Sequence, residues 1–253
     1  MNIQFPLPSN GRKYGKVADF SGLEMRHFEH LSTFSQGDLP ESTRFSAVIE
    51  ALSDTMKIDD LPDLFGLYSI DFDALIVHAR CMERPEAREF MYAWSCSRCK
   101  AAGKENYSHN ATLNLGKIPI TNVDDVEFHL GEYTFDFITV GGWLEVWDYL
   151  HANMWDIFEH LDGAERLQAE AKCLEKTTVA RLAAQVKLAL PVSFGERLNL
   201  MEKLPLRYRP DVIKMLANMD NNYGLRRYDS PKCSNCGKVV RIQIPFHEIV
   251  TFF

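Results

Sequence analysis

Two short stretches decide the fold: Cys96-Ser97-Arg98-Cys99 and, far along the chain, Cys233-Ser234-Asn235-Cys236-Gly237. Each places two thiols three positions apart in a polar turn, the spacing at which a knuckle grips one metal ion from one side. Two such halves complete a four-thiolate site. Zn²⁺ is the cofactor expected there, as a structural ion, with Cys96, Cys99, Cys233 and Cys236 as ligands. Tyr92 and Trp94 lead into the first pair, and Gly237 follows the second, where a knuckle needs a corner with φ > 0. Arg98, Lys100, Lys232 and Lys238 are placed to offset the negative charge of a zinc tetrathiolate. Redox chemistry is disfavoured, because neither pair is expected to open a helix after a buried strand and two redox motifs would be redundant. His109 is the one alternative ligand.

The two halves are separated by the whole stretch from Lys100 to Lys232, so the metal ties the middle of the chain to its C-terminal end. The expected architecture is α+β: a mixed core stapled by a zinc ribbon, with N-terminal helices, a β-hairpin and a large helical insertion. Residues 1–140 and 229–253 form the expected core, and residues 141–228 the insertion.

At 253 residues the chain can bury a substantial core, and 46% hydrophobic with 25% charged residues is ordinary for a globular protein. No apolar run reaches the length of a membrane span, and the first residues lack the basic lead of a secretory signal, so an intracellular location is expected. A net charge of −7 argues against a broad nucleic-acid surface, which needs clustered Lys and Arg. The best local candidate for such a surface runs from Lys203 to Arg227, where Arg207, Arg209, Lys214, Arg226 and Arg227 alternate with tyrosines. Asp211, Asp220 and Asp229 dilute it.

Along the chain, Phe5 to Gly15 reads as strand, turn and strand, with Asn10-Gly11 a strong two-residue turn signal. A strand over Val17 to Phe20 precedes a helix capped by Ser21 and carrying Leu23, Met25, Phe28 and Leu31; Phe45, Val48, Ile49 and Leu52 mark another. Ser69 or Asp71 is the expected cap of a helix that buries Phe72, Leu75 and Ile76. The other acids nearby lack calcium-loop order. Glu89 to Ser95 reads as a strand, as does Asn110 to Leu115, and Val126–Leu130 with Tyr133–Val140 forms a hairpin about Gly131-Glu132. Helices are then expected from Gly141-Gly142 onward, over Ala164 to Leu190, after the capping box Ser193-x-x-Glu196, and with Pro210 in a first turn. The apolar tail ending in Phe252 and Phe253 is either a last strand of the core or a surface for a partner. With Trp147 and Trp155 it supplies the candidate partner-binding residues.

No phosphate-binding loop, dinucleotide fingerprint, nucleophile elbow or His-Glu-x-x-His occurs in the sequence, and a site closed by four cysteines has no open position for a substrate. A non-enzymatic protein is therefore expected.

The order of these pieces carries a resemblance. Leu7-Pro8-Ser9-Asn10-Gly11 with Tyr14, the Asp60-Leu61 element, the Asp71 helix ending at Arg80 and the aromatic strand into Cys-x-x-Cys together resemble the baseplate hub and hub-assembly family of T-even-type contractile-tailed bacteriophages. The likeness spans about Phe5 to Leu150. It implies a morphogenesis protein that acts in the host cytoplasm on phage baseplate hub proteins, either as an assembly factor or chaperone or as a hub component retained in the virion. The alternative is a zinc-ribbon protein that binds nucleic acid or serves transcription.

Overall fold

In the computed structural model, Asn10 and Gly11 both take positive φ (51° and 82°), and Leu7 N donates to Lys16 O at 2.8 Å to close the loop. This turn joins β1 (Ile3–Pro6) to β2 (Val17–Phe20) in antiparallel register, and β3 (Met56–Ile58) pairs on the far side of β2 after helix α1 (Glu41–Ser53). Next come α2 (Ser69–Glu83), β4 (Glu89–Ser95), the short α3 (Ser97–Ala101), β5 (Ser108–Asn114) and β6 (Ile120–Thr121). β7 (Phe128–Leu130) and β8 (Tyr133–Phe135) lead to α4 (Val140–Met154), α5 (Gly163–Gln185), β9 (Val186–Lys187), α6 (Phe194–Glu202) and α7 (Arg209–Asn222). The chain closes with β10 (Gly224–Leu225), β11 (Tyr228–Asp229) and β12 (Ile242–Gln243). The structure describes residues 3–27, 32, 41–83, 89–101, 108–114, 120–121, 123, 126–154, 163–225, 228–229, 232–233, 235–239 and 242–243. Helices beside small antiparallel sheets make the fold α+β. No helix among the described residues is long and apolar enough to cross a membrane.

One core joins the two ends of this succession. Phe20 and Phe72 from the N-terminal part lie in the same buried cluster as Phe135 from β8 and Leu182, Met201 and Met219 from the helices beyond residue 140. The helical stretch expected as an insertion over residues 141–228 packs its apolar face into this same core. Two strand pairings reinforce this: β9 extends the β7–β8 sheet, and β10 pairs with β6.

Several elements end elsewhere than expected because of partners distant in sequence. The helix expected to continue to Leu190 stops at Gln185, because Val186 pairs with Phe135 and is drawn into the core, while Leu190 is exposed. The strand expected over Tyr133–Val140 ends at Phe135, since Asp136 turns the chain to anchor a polar network and Val140 already begins α4. After Ser21 there is a 3₁₀ turn over Met25–His27; Phe28 and Leu31 lie outside the described residues. The capping box at Ser193 forms as expected: Ser193 Oγ accepts from Glu196 N, and Glu196 Oε2 accepts from Ser193 N at 2.8 Å.

Two glycines are fixed by geometry. Gly131 has φ +61°, as the first corner of a two-residue hairpin that begins with glycine requires. Gly224 has φ +75°, and a Cβ there would lie 2.9 Å from Ile70 Cβ. Gly224→Ala is expected to destabilise the protein by about 3 kcal/mol, from left-handed strain plus overpacking against α2. The fall in the urea midpoint measures it, and an unchanged midpoint would show that β10 yields freely.

Candidate metal centre

Each cysteine pair sits where a hairpin turns. β4 pairs with β5 from Glu89↔Asn114 to Ser95↔Ser108, and Cys96 follows directly. β11 pairs with β12, and between them Lys232 bridges Val239 around the second knuckle. Inside that knuckle Gly237 N donates to Cys233 O and Cys233 N donates to Lys238 O, both at 2.8 Å, with Gly237 at φ +70°. The corner expected of Gly237 is present. The first knuckle differs from expectation, because the short α3 begins at Ser97, immediately after Cys96.

The four sulfurs of Cys96, Cys99, Cys233 and Cys236 lie within 4.8 Å of one another. Across the knuckles, Cys96 Sγ is 3.5 Å from Cys236 Sγ and Cys99 Sγ is 3.9 Å from Cys233 Sγ. Sulfurs about 2.3 Å from a tetrahedral ion stand about 3.8 Å apart, so the cluster fits one metal ion with little adjustment. Cys96, Cys99 and Cys233 are buried and Cys236 is half-buried. The side chains that surround the sulfurs add positive character. Asn235 Nδ2 donates to Cys99 Sγ at 3.4 Å, Arg98 reaches Cys236 O at 3.5 Å, and Lys238 Nζ lies 3.2 Å from Ser97 Oγ.

The thiols do not ionise alike. The backbone N–H of Cys99 pulls Cys96 down to about 6. The hydrogen bond with Cys236, together with burial, pushes Cys99 up to about 12. One sulfur thus ionises easily and its neighbour resists, the pattern of crowded thiols whose accumulated negative charge a cation would relieve. Chemically the arrangement can hold a metal ion. His109, the alternative ligand, occupies the strand position opposite Trp94.

The other expected residues are placed as follows. Trp147 is half-buried, its ring 4.5 Å from Phe45 and 5.7 Å from Trp143, so it packs within the chain. Trp155, Phe252 and Phe253 lie outside the described residues, as do Arg226 and Arg227. Of the basic stretch, the Arg207 guanidinium sits 5.1 Å over the Tyr208 ring, and Asp220 forms a two-pronged pair with Arg181 at 2.7 and 3.0 Å.

A second polar centre was not foreseen. Asp71 is not a helix cap: it is fully buried and accepts from Ser9 N at 2.8 Å and from the Tyr14 hydroxyl at 2.5 Å. Tyr14 in turn accepts from Tyr68 N at 2.8 Å. Beside it, Asp136 accepts from Arg12 Nε, Tyr68 OH and Lys187 Nζ at 2.8 to 2.9 Å. Burial works against ionisation of Asp136, but hydrogen bonds from Lys187, Tyr68 and Phe137 N and the charge of Arg12 outweigh it and hold its pKa below the usual carboxylate value. The only sequence signal for this network is the density of polar residues in the opening turn, where Ser9, Arg12 and Tyr14 cluster.

No family model, curated protein or solved structure matches the chain.

Proposed function

We propose that the four cysteines hold one zinc ion as a closed structural site, and that the chain is a non-enzymatic morphogenesis protein of a contractile-tailed bacteriophage. In this role it acts in the host cytoplasm through protein–protein contacts in tail baseplate hub assembly. The observation that carries the zinc assignment is the convergence of four sulfurs within 4.8 Å of one another. An all-thiolate tetrahedral set selects soft ions, zinc foremost, and leaves no coordination position for a substrate. A binding role follows more naturally from such a site than a catalytic one. The phage reading rests on the short motifs of the opening arm and the Asp71 helix. That Ser9 and Tyr14 of the arm both bind Asp71 supports treating those motifs as one structural unit.

Two measurements test this. Elemental analysis of the purified chain is expected to find about one zinc per chain; iron in its place would overturn the zinc assignment. Mass spectrometry of proteins that co-purify with the tagged chain during infection is expected to find tail-hub subunits. Absence of the chain from finished particles would mark an assembly factor, and its presence a structural subunit. Recovery of transcription or nucleic-acid machinery in place of hub proteins would overturn the phage assignment in favour of the nucleic-acid alternative.

A further inference from the structure

The strand order β7-β8-β9 leaves β7 at the edge of its sheet. The register shows which of its backbone groups face outward. Leu130 and Tyr133 flank the two-residue turn and form a hydrogen-bonded pair, so His129 and Thr134 form the next, non-hydrogen-bonded pair. The groups of Thr134 then point to β9, its partner through Lys187, and Asp136 N, two residues on, donates to Gln185 O at 2.9 Å on that same side. By the same alternation the backbone N–H and C=O of His129 and Glu127 point away from the sheet. Neither residue has a backbone partner there among the described residues.

These groups face an open groove of about 730 Å³, walled on one side by Glu127–Gly131 and on the other by α7. Tyr208, at the start of α7, meets Gly131, and Tyr223, just past its end, stacks edge-on with Phe128, so the helix runs antiparallel to the strand. The 14 residues of α7 span ~21 Å, the reach of about six extended residues. Phe128, Leu130 and Met215 contribute apolar surface to the groove. Two carboxylates line the groove, Asp211 and Glu127, the latter meeting the His129 ring through Oε2 at 2.9 Å; Lys214 is the one lysine among the lining residues, a balance that favours a basic segment over an acidic one.

We propose that this groove binds an extended peptide segment of a partner protein, carrying Lys or Arg beside an apolar residue. The segment adds as a strand to β7 through the backbone of His129, between the sheet edge and α7. A short edge strand flanked by a helix is the geometry of strand-addition recognition, in which main-chain bonds give affinity and flanking pockets give selectivity. The proposal is independent of the metal centre and of the phage reading.

The test is selection of a displayed library of random linear peptides on the full, metal-loaded chain, with His129→Pro and His129→Thr as comparisons. Proline removes an outward-facing N–H, at a position that edge strands tolerate, together with the imidazole that meets Glu127 Oε2 at 2.9 Å and Thr134 Oγ1 at 3.2 Å. Threonine removes the same imidazole and keeps the N–H, so the difference between the two variants reads the backbone group. Enriched basic-apolar peptides are expected to bind His129→Pro about tenfold or more weakly while still binding His129→Thr. Independently of any variant, the His129 amide is expected to gain protection from hydrogen exchange when such a peptide is added to the wild-type chain. Failure to enrich any peptide, selected peptides that bind His129→Pro equally well, or an unprotected His129 amide would each overturn the proposal. A wild-type dimer that His129→Pro converts to monomer would also overturn it, by assigning the edge to a second copy.

Discussion

Stripping the metal with a strong chelator, or replacing both Cys96 and Cys233 with serine, is expected to unfold the two cysteine-bearing hairpins at a cost on the order of 10 kcal/mol of metal-linked folding free energy. The physical reason is the thinness of what the sulfurs join. β4 and β5 form a two-stranded sheet, and β11 and β12 pair over two residues each. Isolated two-stranded hairpins are marginal in water. None of the four cysteines belongs to the core cluster that holds Phe20, Phe72, Phe135 and Met219. The helical circular-dichroism signal is therefore expected to persist while amides of β4 and β5 lose exchange protection. A metal-free double variant with both hairpins still protected would sink the shared site. Loss of the helical signal as well would show that ribbon and core unfold as one unit.

Tyr14→Phe is expected to produce the second large effect, a destabilisation of roughly 2–5 kcal/mol, because it costs two buried groups a hydrogen bond at about 1–3 kcal/mol each, leaving one with no partner and the other with Ser9 N alone. These are Tyr68 N, which donates to the Tyr14 oxygen, and the Asp71 carboxylate, which accepts from it. The loss should depend on pH. Burial raises the pKa of Asp71 above its ordinary value, opposed by hydrogen bonds from Ser9 and Tyr14. A carboxyl whose folded pKa is raised binds more protons folded than unfolded, so its contribution to stability declines as pH rises from the unfolded value of about 3.9 through the folded one. Without the Tyr14 donor the folded pKa rises further, and the deficit relative to wild type is expected to grow with pH. Urea melts between about pH 5 and pH 8 check both size and sign. A deficit that shrinks with rising pH would show that Asp71 is not the group responsible.

The cysteine cluster was legible because its signal is local: a Cys-x-x-Cys pair needs only its own turn to present two sulfurs, and Gly237 needs only its own φ. The Asn10-Gly11 turn and the Ser193 capping box were legible for the same reason. Helix boundaries set by tertiary pairing were not. Nothing within the run from Ala183 to Leu190 reveals that Val186 leaves the helix, because the cause is Phe135, a strand partner some fifty residues earlier. Asp71 was misjudged likewise. An acid near a helix start ordinarily caps or faces water, and only the fold brings Ser9 and Tyr14 onto it. The change of periodicity near residue 140 marks where strands give way to helices, since the helix begins at Val140; that Leu182, Met201 and Met219 share a cluster with Phe20 and Phe72 is visible only in the fold.

The distance along the chain between the two knuckles sets an order of events during synthesis. Cys99 and Cys233 are 134 positions apart. At a translation rate of ~5–20 residues per second the first knuckle leaves the ribosome roughly 7 to 27 s before the second. Throughout that interval it offers two sulfurs, half of what a tetrahedral ion needs, while the helices that fill the core are still being made. Capture of an ion by all four sulfurs, as the proposed zinc site requires, would therefore wait for a chain synthesised at least to Cys236, and the two hairpins would be joined only after the helices between them had been made.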